Sequence, residues 1–459
     1  STPAQRVTDL ERAISEVAVA RVRSSDGDGM LFDATYDSHF CRCLLDTIAR
    51  RRHAGPRRAG LVATRTEAFH RIAGSPDDLS PSLLGAEQSN TSVRFGFSLL
   101  LKLFRRVGEG VNPDLEIGRF LTERRSFPHT PAVAGALEYR RNKAEPITLG
   151  ILHAFISNGG DAWRYTLDHL SRYLEGALMR GEGPSHQELP NAGPLAAAFM
   201  EPSPLARETM GEYLEAARLL GVRTAGVHIA LATEEGDPAF APETFTSFYQ
   251  RSLYQSMRTL TAQTFRLLRD HADRLAEANQ ILDLEGKILK RFKAVLGAKI
   301  EAKRIRCHGD YHLGQVLYTG KDFLIIDFEG EPARALSERR IKRSPLQDVA
   351  GMLRSFHYAA YSALYGATTG FARPDDPSEL EPWVRFWYAW ASAGFLGAYL
   401  EEAKGTDFLP ANPGELEVLL DFYLLGKAVY ELGYEANNRP DWIKIPVQGI
   451  LQLLEAHSD

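Results

Sequence analysis

Cysteine is scarce: the chain holds three in 459 residues, Cys41, Cys43 and Cys307. That number excludes a disulfide framework, and a reducing, cytoplasmic setting fits it best. Cys41 and Cys43 are too few to hold zinc without helpers, so ordinary packing is expected. Long hydrophobic runs are also missing. Residues 355–372 are diluted by His357, Gly366, Thr368 and Thr369, and residues 386–400 fall short of the roughly 20 residues a span requires. Both read as buried helices, and no membrane partner is expected. No strong charge excess exists either: 54 Lys and Arg stand against 59 Asp and Glu, a net charge of -5, which argues against nucleic acid as a partner. There is no Gly-Lys-Ser/Thr phosphate loop, no internal repeat, no low-complexity tract and no apolar signal core at the start, which also lacks Met.

With 44% hydrophobic and 25% charged residues the composition is that of a globular protein, and the length predicts two or three lobes. Turn formers at residues 74–81 mark a linker. Residues 82–160 read as strands around one helix, which starts at Asn112-Pro113-Asp114. Helical patterns then dominate, at about 161–181, 203–233, 242–296, 346–365, 379–404 and 414–436. The expected fold is α+β and bilobal. Residues 1–81 form an N-terminal cap subdomain, 82–160 a β-rich small lobe and 161–459 a mainly helical large lobe.

The most informative stretch is His308-Gly309-Asp310-Tyr311-His312-Leu313-Gly314-Gln315, followed by Ile325-Ile326-Asp327-Phe328-Glu329. It sets a carboxylate and an amide on one loop, with a second carboxylate ending a β-branched run. Phosphoryl transfer from ATP needs such a set: Asp310 to take or orient the proton of an attacking hydroxyl, and Gln315 and Asp327 as hard oxygen ligands for Mg2+. Lys102 is a lone charge in the apolar run Leu99–Phe104, where it requires a partner. Glu116, in the first turns of the following helix, is the expected one, and the pair would hold the α- and β-phosphates. Ser89, Asn90 and Thr91 lie on a small polar loop able to cover phosphates. The main chain of Ala154 and Ile156 lies where a hinge would meet adenine, a place it shares with a plain interlobe connection.

Asp348 opens an apolar helix and is expected both to cap it and to bond the catalytic-loop backbone. The run Glu338–Arg343 is a solvated loop or a phosphate or substrate contact. In the segment 430–442, Tyr430 and Tyr434, and Glu431 and Glu435, are each four apart and share helix faces. Rings beside acids suit a sugar, and either that or an amphipathic helix end with aromatic packing accounts for the pattern. His312, Asn438 and Arg439 join the candidate acceptor-binding set.

Several stretches resemble bacterial maltokinases: residues 87–92, Leu101–Arg106, Asn112–Glu116, Gly160–Trp163, the catalytic stretch 307–315, Ile326–Pro332 and Ser344–Ser355. The resemblance implies a eukaryotic-protein-kinase-like fold of the aminoglycoside-phosphotransferase type, with a cap, an intermediate lobe and a helical lobe. It implies ATP-dependent phosphorylation of maltose to maltose 1-phosphate with magnesium, feeding α-glucan and glycogen synthesis from trehalose. It also implies Asp310 as base, Gln315 and Asp327 as metal ligands, Lys102 and Glu116 as the phosphate-binding pair, and 430–442 as the sugar site. The sequence is similar to maltokinases fused behind trehalose synthase, so trehalose synthase is an expected partner and excision from a fusion an expected origin. The competing expectations are another sugar kinase of this fold, such as a glucosamine kinase, and a non-catalytic module docking trehalose synthase.

Overall fold

The computed structural model describes residues 18–25, 27–56, 59–74, 78–85, 90–181, 183–190, 193–232, 236–271, 276–366 and 379–455. The chain divides into two compact units, Ser1–Ser157 with Pro332–Arg339, and Asn158–Glu331 with Arg340–Asp459.

The first unit begins with a hairpin, β1 (Ala18–Ser24) and β2 (Gly27–Phe32), whose close brings Ser24 opposite Gly27. Helix α1 (Ser38–Ala49) follows, capped by the Asp37 carboxylate, which accepts from His39 N. Around α1 and α2 (Ala68–Ala73) lies one seven-stranded antiparallel sheet. Its strands are β3 (His53–Ala54), β4 (Ala59–Arg65), β5 (Pro81–Leu83), β6 (Asn90–Phe95), β7 (Leu99–Phe104), β8 (Val133–Arg141) and β9 (Ile147–Ala154), in the spatial order β3-β4-β8-β9-β7-β6-β5.

Apolar side chains of β6 to β9, among them Val93, Phe95, Leu101 and Leu152, pack against Cys41, Leu45 and Ile48 of α1 and Phe69 of α2. Cys41 is therefore core and Cys43 exposed, and neither is in a disulfide. On the sheet's other side Leu115 of α3 (Pro113–Arg119) meets Val133, Ala136 and Ile151. The linker expected near 74–81 does not divide this sheet, because β4 pairs with β8 from Ala59 opposite Arg141 to Arg65 opposite Gly135. That long-range pairing, with β5 joined to β6, makes the strands of residues 53–83 and those of 90–154 one layer. The short helix Leu336–Arg339 belongs to this unit too, with the Leu336 side chain against Gly108 and Gly110.

The second unit is helical. It contains α4 (Ala162–Arg180), α5 (Pro204–Leu231), α6 (Ser247–Asp270), α7 (Glu285–Gly297), α8 (Leu346–Tyr365), α9 (Glu381–Glu402), α10 (Pro413–Asn438) and α11 (Lys444–Glu455). Prolines stand at the first turn of α5, α9 and α10, where a missing N–H costs nothing. The single helical stretch expected over 242–296 is instead α6 and α7, with a 3-10 segment at Ala276–Leu284 between them. Helix α8 is buried along nearly its whole length. Two antiparallel pairs interrupt the helices, β10 (Glu243–Thr244) with β11 (Lys303–Arg304) and β12 (Val316–Tyr318) with β13 (Phe323–Ile325). Among the described residues no helix is long and apolar enough to cross a membrane.

Candidate active site

The catalytic stretch runs into β12, and Asp327 follows β13 by two residues. Val316 pairs with Ile325, and beyond that rung Ile326 N donates to Gln315 O at 3.0 Å. The two candidate metal ligands are thus anchored on neighbouring, bonded backbones. Asp327 has φ 67°, a left-handed conformation uncommon outside glycine. Glycines 309 and 330, at φ 87° and 71°, supply the other turns here.

A buried carboxylate holds the loop from behind. Asp348, on the first turn of α8, accepts from His308 N at 2.7 Å and Gly309 N at 2.9 Å. His228 Nε2 of α5 lies 3.1 Å from the same carboxylate, and its Nδ1 lies 3.0 Å from Tyr399 OH. Burial raises the Asp348 carboxyl's pKa, but His228, the His308 ring and the Gly309 N–H outweigh that effect and hold it below its usual value. The backbone-bonding role expected of Asp348 is therefore met. The capping role is not, since the N-cap of α8 is Pro345, with no side-chain cap.

His308 Nε2 reaches Ile326 O at 2.8 Å, and its Nδ1 faces Asp310 N at 3.4 Å. A carbonyl only accepts and an amide only donates, so the proton sits on Nε2. Leu313 N donates to Ser355 Oγ at 3.1 Å, and the Tyr311 hydroxyl meets Thr224 Oγ1 at 2.8 Å. Gly351 lets α8 pass the loop, for a Cβ there would lie 2.5 Å from Tyr311 O.

Asp310 is left partly open, with its side chain 26% exposed. Lys427 Nζ, from α10, stands 3.9 Å from Asp310 Oδ1 and 5.0 Å from the centre of the Tyr430 ring. Lys427 was not foreseen, although a lone charge among Leu424, Leu425, Ala428 and Val429 is the signal that marked Lys102. Tyr430 bonds Glu331, and burial followed by that acid raises its hydroxyl's pKa. His312 uses Nδ1 to accept from Gly314 N at 3.1 Å, so its ring braces the turn at Leu313–Gln315. Burial lowers the pKa of this imidazole, and Asp310 works the other way.

The remaining residues of 430–442 have partners within the unit. Glu431 accepts from Arg354 Nε at 2.9 Å. Glu435 accepts from Arg439 Nε and Nη2 at 2.9 and 2.7 Å and from Tyr358 OH at 3.1 Å. Asn438 Nδ2 donates to Tyr434 O at 2.8 Å. Arg439 also lies over the rings of Tyr434 and Trp442, at 5.5 and 4.7 Å. The shared helix face expected of Glu431 and Glu435 exists, and it turns toward α8. The exposed ring is Tyr434.

In the first unit, Lys102 of β7 stands opposite Ser92 and Ile151 in the sheet. Its Nζ lies 3.2 Å from Asp114 Oδ2, with the acid buried and the lysine half-buried. Asn112 sets that acid in place by accepting from Asp114 N and Leu115 N. The expected partner, Glu116, lies two residues further along α3, so the structure adds an acid that the sequence reading took only as a helix start. Asn90 and Thr91 are not loop residues: they open β6, and Thr91 Oγ1 accepts from Arg105 Nε at 3.0 Å. Ser89 lies outside the described residues. Ala154 gives its N–H to Ala132 O at 2.8 Å, and Phe155 gives its own to Ser98 O at 2.8 Å. Ile156 is half-buried. In the charge run, Arg339 spends its guanidinium on Arg334 O and Pro332 O of its own loop.

Comparison with known proteins agrees with this architecture. Residues 172–383 match the model of the phosphotransferase enzyme family, APH. A glucosamine kinase of Streptacidiphilus jiangxiensis is 25% identical over 374 residues, 80% of this chain and 72% of that protein. One from Mycolicibacterium smegmatis is 30% identical over 150 residues, 32% of this chain and 34% of that protein. A solved glucosamine kinase in complex with glucosamine, ADP and inorganic phosphate superposes with a TM-score of 0.66 at 22% identity, covering 94% of this chain and 86% of the other. The chain shares the fold of that solved glucosamine kinase, and its residues 172–383 match the APH phosphotransferase model.

Proposed function

We propose that this chain transfers the γ-phosphoryl group of ATP to a hydroxyl of a sugar. The catalytic loop carries the reading: an accessible Asp310 stands on a backbone fixed by the buried Asp348, beside the bonded strands that carry Gln315 and Asp327. Asp310 takes the proton of the attacking hydroxyl, the new O–P bond forms, the bond from γ-phosphorus to the β–γ bridging oxygen breaks, and ADP leaves. Gln315 and Asp327 offer a neutral carbonyl and a carboxylate, a donor set that fits magnesium, which when bound offsets phosphate charge. Lys102, oriented by Asp114 and assigned with Glu116 to phosphate binding, holds the α- and β-phosphates. Asn90 and Thr91, which open β6, are assigned with Ser89 to phosphate contact. The carbonyl of Ala154 and the main chain of Ile156 serve adenine, since the Ala154 N–H is already committed.

For the acceptor, the relatives support an amino sugar, glucosamine, ahead of maltose, reversing the order drawn from motifs. An ammonium group seeks a carboxylate, and Asp310 and Glu331 are the acids beside Lys427 and Tyr430. One observation favours maltose as the second reading: Glu431 and Glu435 are bonded to Arg354, Arg439 and Tyr358, which leaves ring faces rather than acids for a neutral sugar. Trehalose synthase as partner and supply of α-glucan synthesis belong to that second reading alone. Retention of Lys102, Asp310, Gln315 and Asp327 together opposes a module without chemistry.

The test is ADP release with glucosamine, maltose, maltotriose, glucose and trehalose, with and without magnesium. Turnover of glucosamine is expected. Turnover of maltose without glucosamine establishes the second reading, and no turnover with any sugar rejects the function.

A further inference from the structure

A cavity of about 590 Å³ opens in the helical unit between α8, α9, α11 and the loop that carries Pro184, Pro190 and Pro194. None of Asp310, Gln315, Asp327, Tyr430 or Tyr434 lines it. Its size is within the range of small-molecule sites.

The walls hold buried polar groups whose hydrogen-bonding capacity is only partly met among the described residues. His357 is 1% exposed, and neither of its ring nitrogens makes a hydrogen bond of good geometry. Its polar neighbour Gln452 gives its amide to Tyr361 OH at 2.5 Å. Arg354 is likewise buried. Its Nη2 stands 2.8 Å from Glu431 Oε2, yet off the line of its N–H bonds, so the ion pair leaves that nitrogen's hydrogens unused. Ser392 Oγ meets the Tyr388 hydroxyl and is a third group with capacity left over. The guanidinium fits only because residue 449 is glycine: a Cβ there would lie 2.2 Å from Arg354 Nη1.

We propose that this cavity is a second binding site for a neutral, hydroxyl-rich ligand, a mono- or oligosaccharide. The charges argue for neutrality. Arg354 is matched by Glu431, and Arg385 on the rim shares it with Glu381. The hydrogen-bonding inventory argues for hydroxyls. Burial, followed by Arg354, pushes the His357 imidazole well below its usual pKa, so it presents one donor and one acceptor. Ser392 offers both roles, Arg354 only donors and Glu381 only acceptors. An anion would leave the acceptors unserved and face Glu381. Sugar hydroxyls answer every group, while the Tyr388 ring and the loop prolines offer flat apolar surface to a sugar's C–H face. The site does not depend on the reaction assigned above.

The experiment is equilibrium dialysis of the full chain against labelled maltose, labelled glucosamine and labelled inorganic phosphate in separate arms. Two variants are compared with the natural chain: Ala389→Trp, which fills the cavity from its half-exposed wall, and Arg385→Ala on the exposed rim. At least one sugar is expected to lose one bound equivalent in Ala389→Trp and about tenfold in that equivalent's affinity in Arg385→Ala, while any turnover stays within about twofold. Sugar binding unchanged in both variants leaves a merely water-filled cavity and overturns the proposal. Phosphate binding that both variants abolish overturns the ligand class. Because binding is scored by equivalents and not by product, an inactive chain with a variant-sensitive equivalent rejects only the assigned reaction.

Discussion

Replacing Asp348 by Asn tests whether the catalytic loop depends on a single buried carboxylate. That carboxylate serves three donors, His308 N, Gly309 N and His228 Nε2, at 2.7, 2.9 and 3.1 Å. An amide keeps one acceptor oxygen. Placed toward His308 and His228, it turns its NH2 against Gly309 N–H, and a change of His228 tautomer cannot relieve that backbone donor. Loss of one hydrogen bond to a charged group costs about 1.5–3 kcal/mol, and weakening of the other two brings the total to roughly 2–4 kcal/mol. In a unit of this size the melting midpoint should fall by about 3–6 °C.

The same loop sets the position of Asp310, so turnover below that midpoint should fall by roughly 10²-fold, as expected for a displacement near 1 Å. The pH dependence has a definite sign. Asp348 is held below its ordinary 3.8, so its contribution is present above that value and is lost as pH falls through the lower folded-state value. The stability gap between the natural chain and the variant should stay constant from neutrality down to about pH 4 and close only below it. Calorimetry and ADP release measure both effects. A midpoint within about 1 °C and turnover within about twofold of the natural chain would refute the reasoning.

Three further expectations follow from the same geometry. Asp114→Asn should lower ATP turnover by roughly 10²-fold or more, and Glu116→Gln by less, if the acid 3.2 Å from Lys102 orients it; the reverse order in steady-state assays restores Glu116 to that role. Arg354→Met leaves Glu431 buried beside an apolar group and should cost about 3–5 kcal/mol by chemical denaturation, while adding Glu431→Leu should recover much of it; an unaltered single variant contradicts the pairing. Lys102→Met should raise the KM for ATP and lower kcat, and should also lower the melting midpoint because it takes away the ammonium 3.2 Å from the buried Asp114 carboxylate; an unchanged KM would remove Lys102 from nucleotide binding.

The arrangement of the candidate site was legible where it is local. Asp310, Gln315 and Asp327 lie within one short stretch, and the hairpin between the last two brings them together by simple strand pairing. Lys102 declared itself as a charge inside an apolar strand, and Lys427 could have done so by the same argument. What escaped detection depended on partners far along the chain. The spacing of Glu431 and Glu435 fixed their common face but not its direction, which Arg354 and Tyr358 decide from 77 positions upstream. Asp114 was hidden because the Asn112-Pro113-Asp114 signature already had an explanation as a helix start. The union of residues 53–65 with the later strands rests on the pairing of β4 with β8, which no local pattern reveals. Helix α11 was obscured by Pro440 and Pro446, the latter tolerated in its first turn.

The central claim, sugar phosphorylation with Asp310 as base, is tested most directly by phosphorus NMR of ATP incubated with glucosamine or maltose and either the natural chain or Asp310→Asn. The account predicts a sugar-phosphate resonance with the natural chain, and a rate lower by roughly 10²–10⁴-fold in the folded variant. Equal rates in the two proteins, or no sugar phosphate from either sugar, would contradict it.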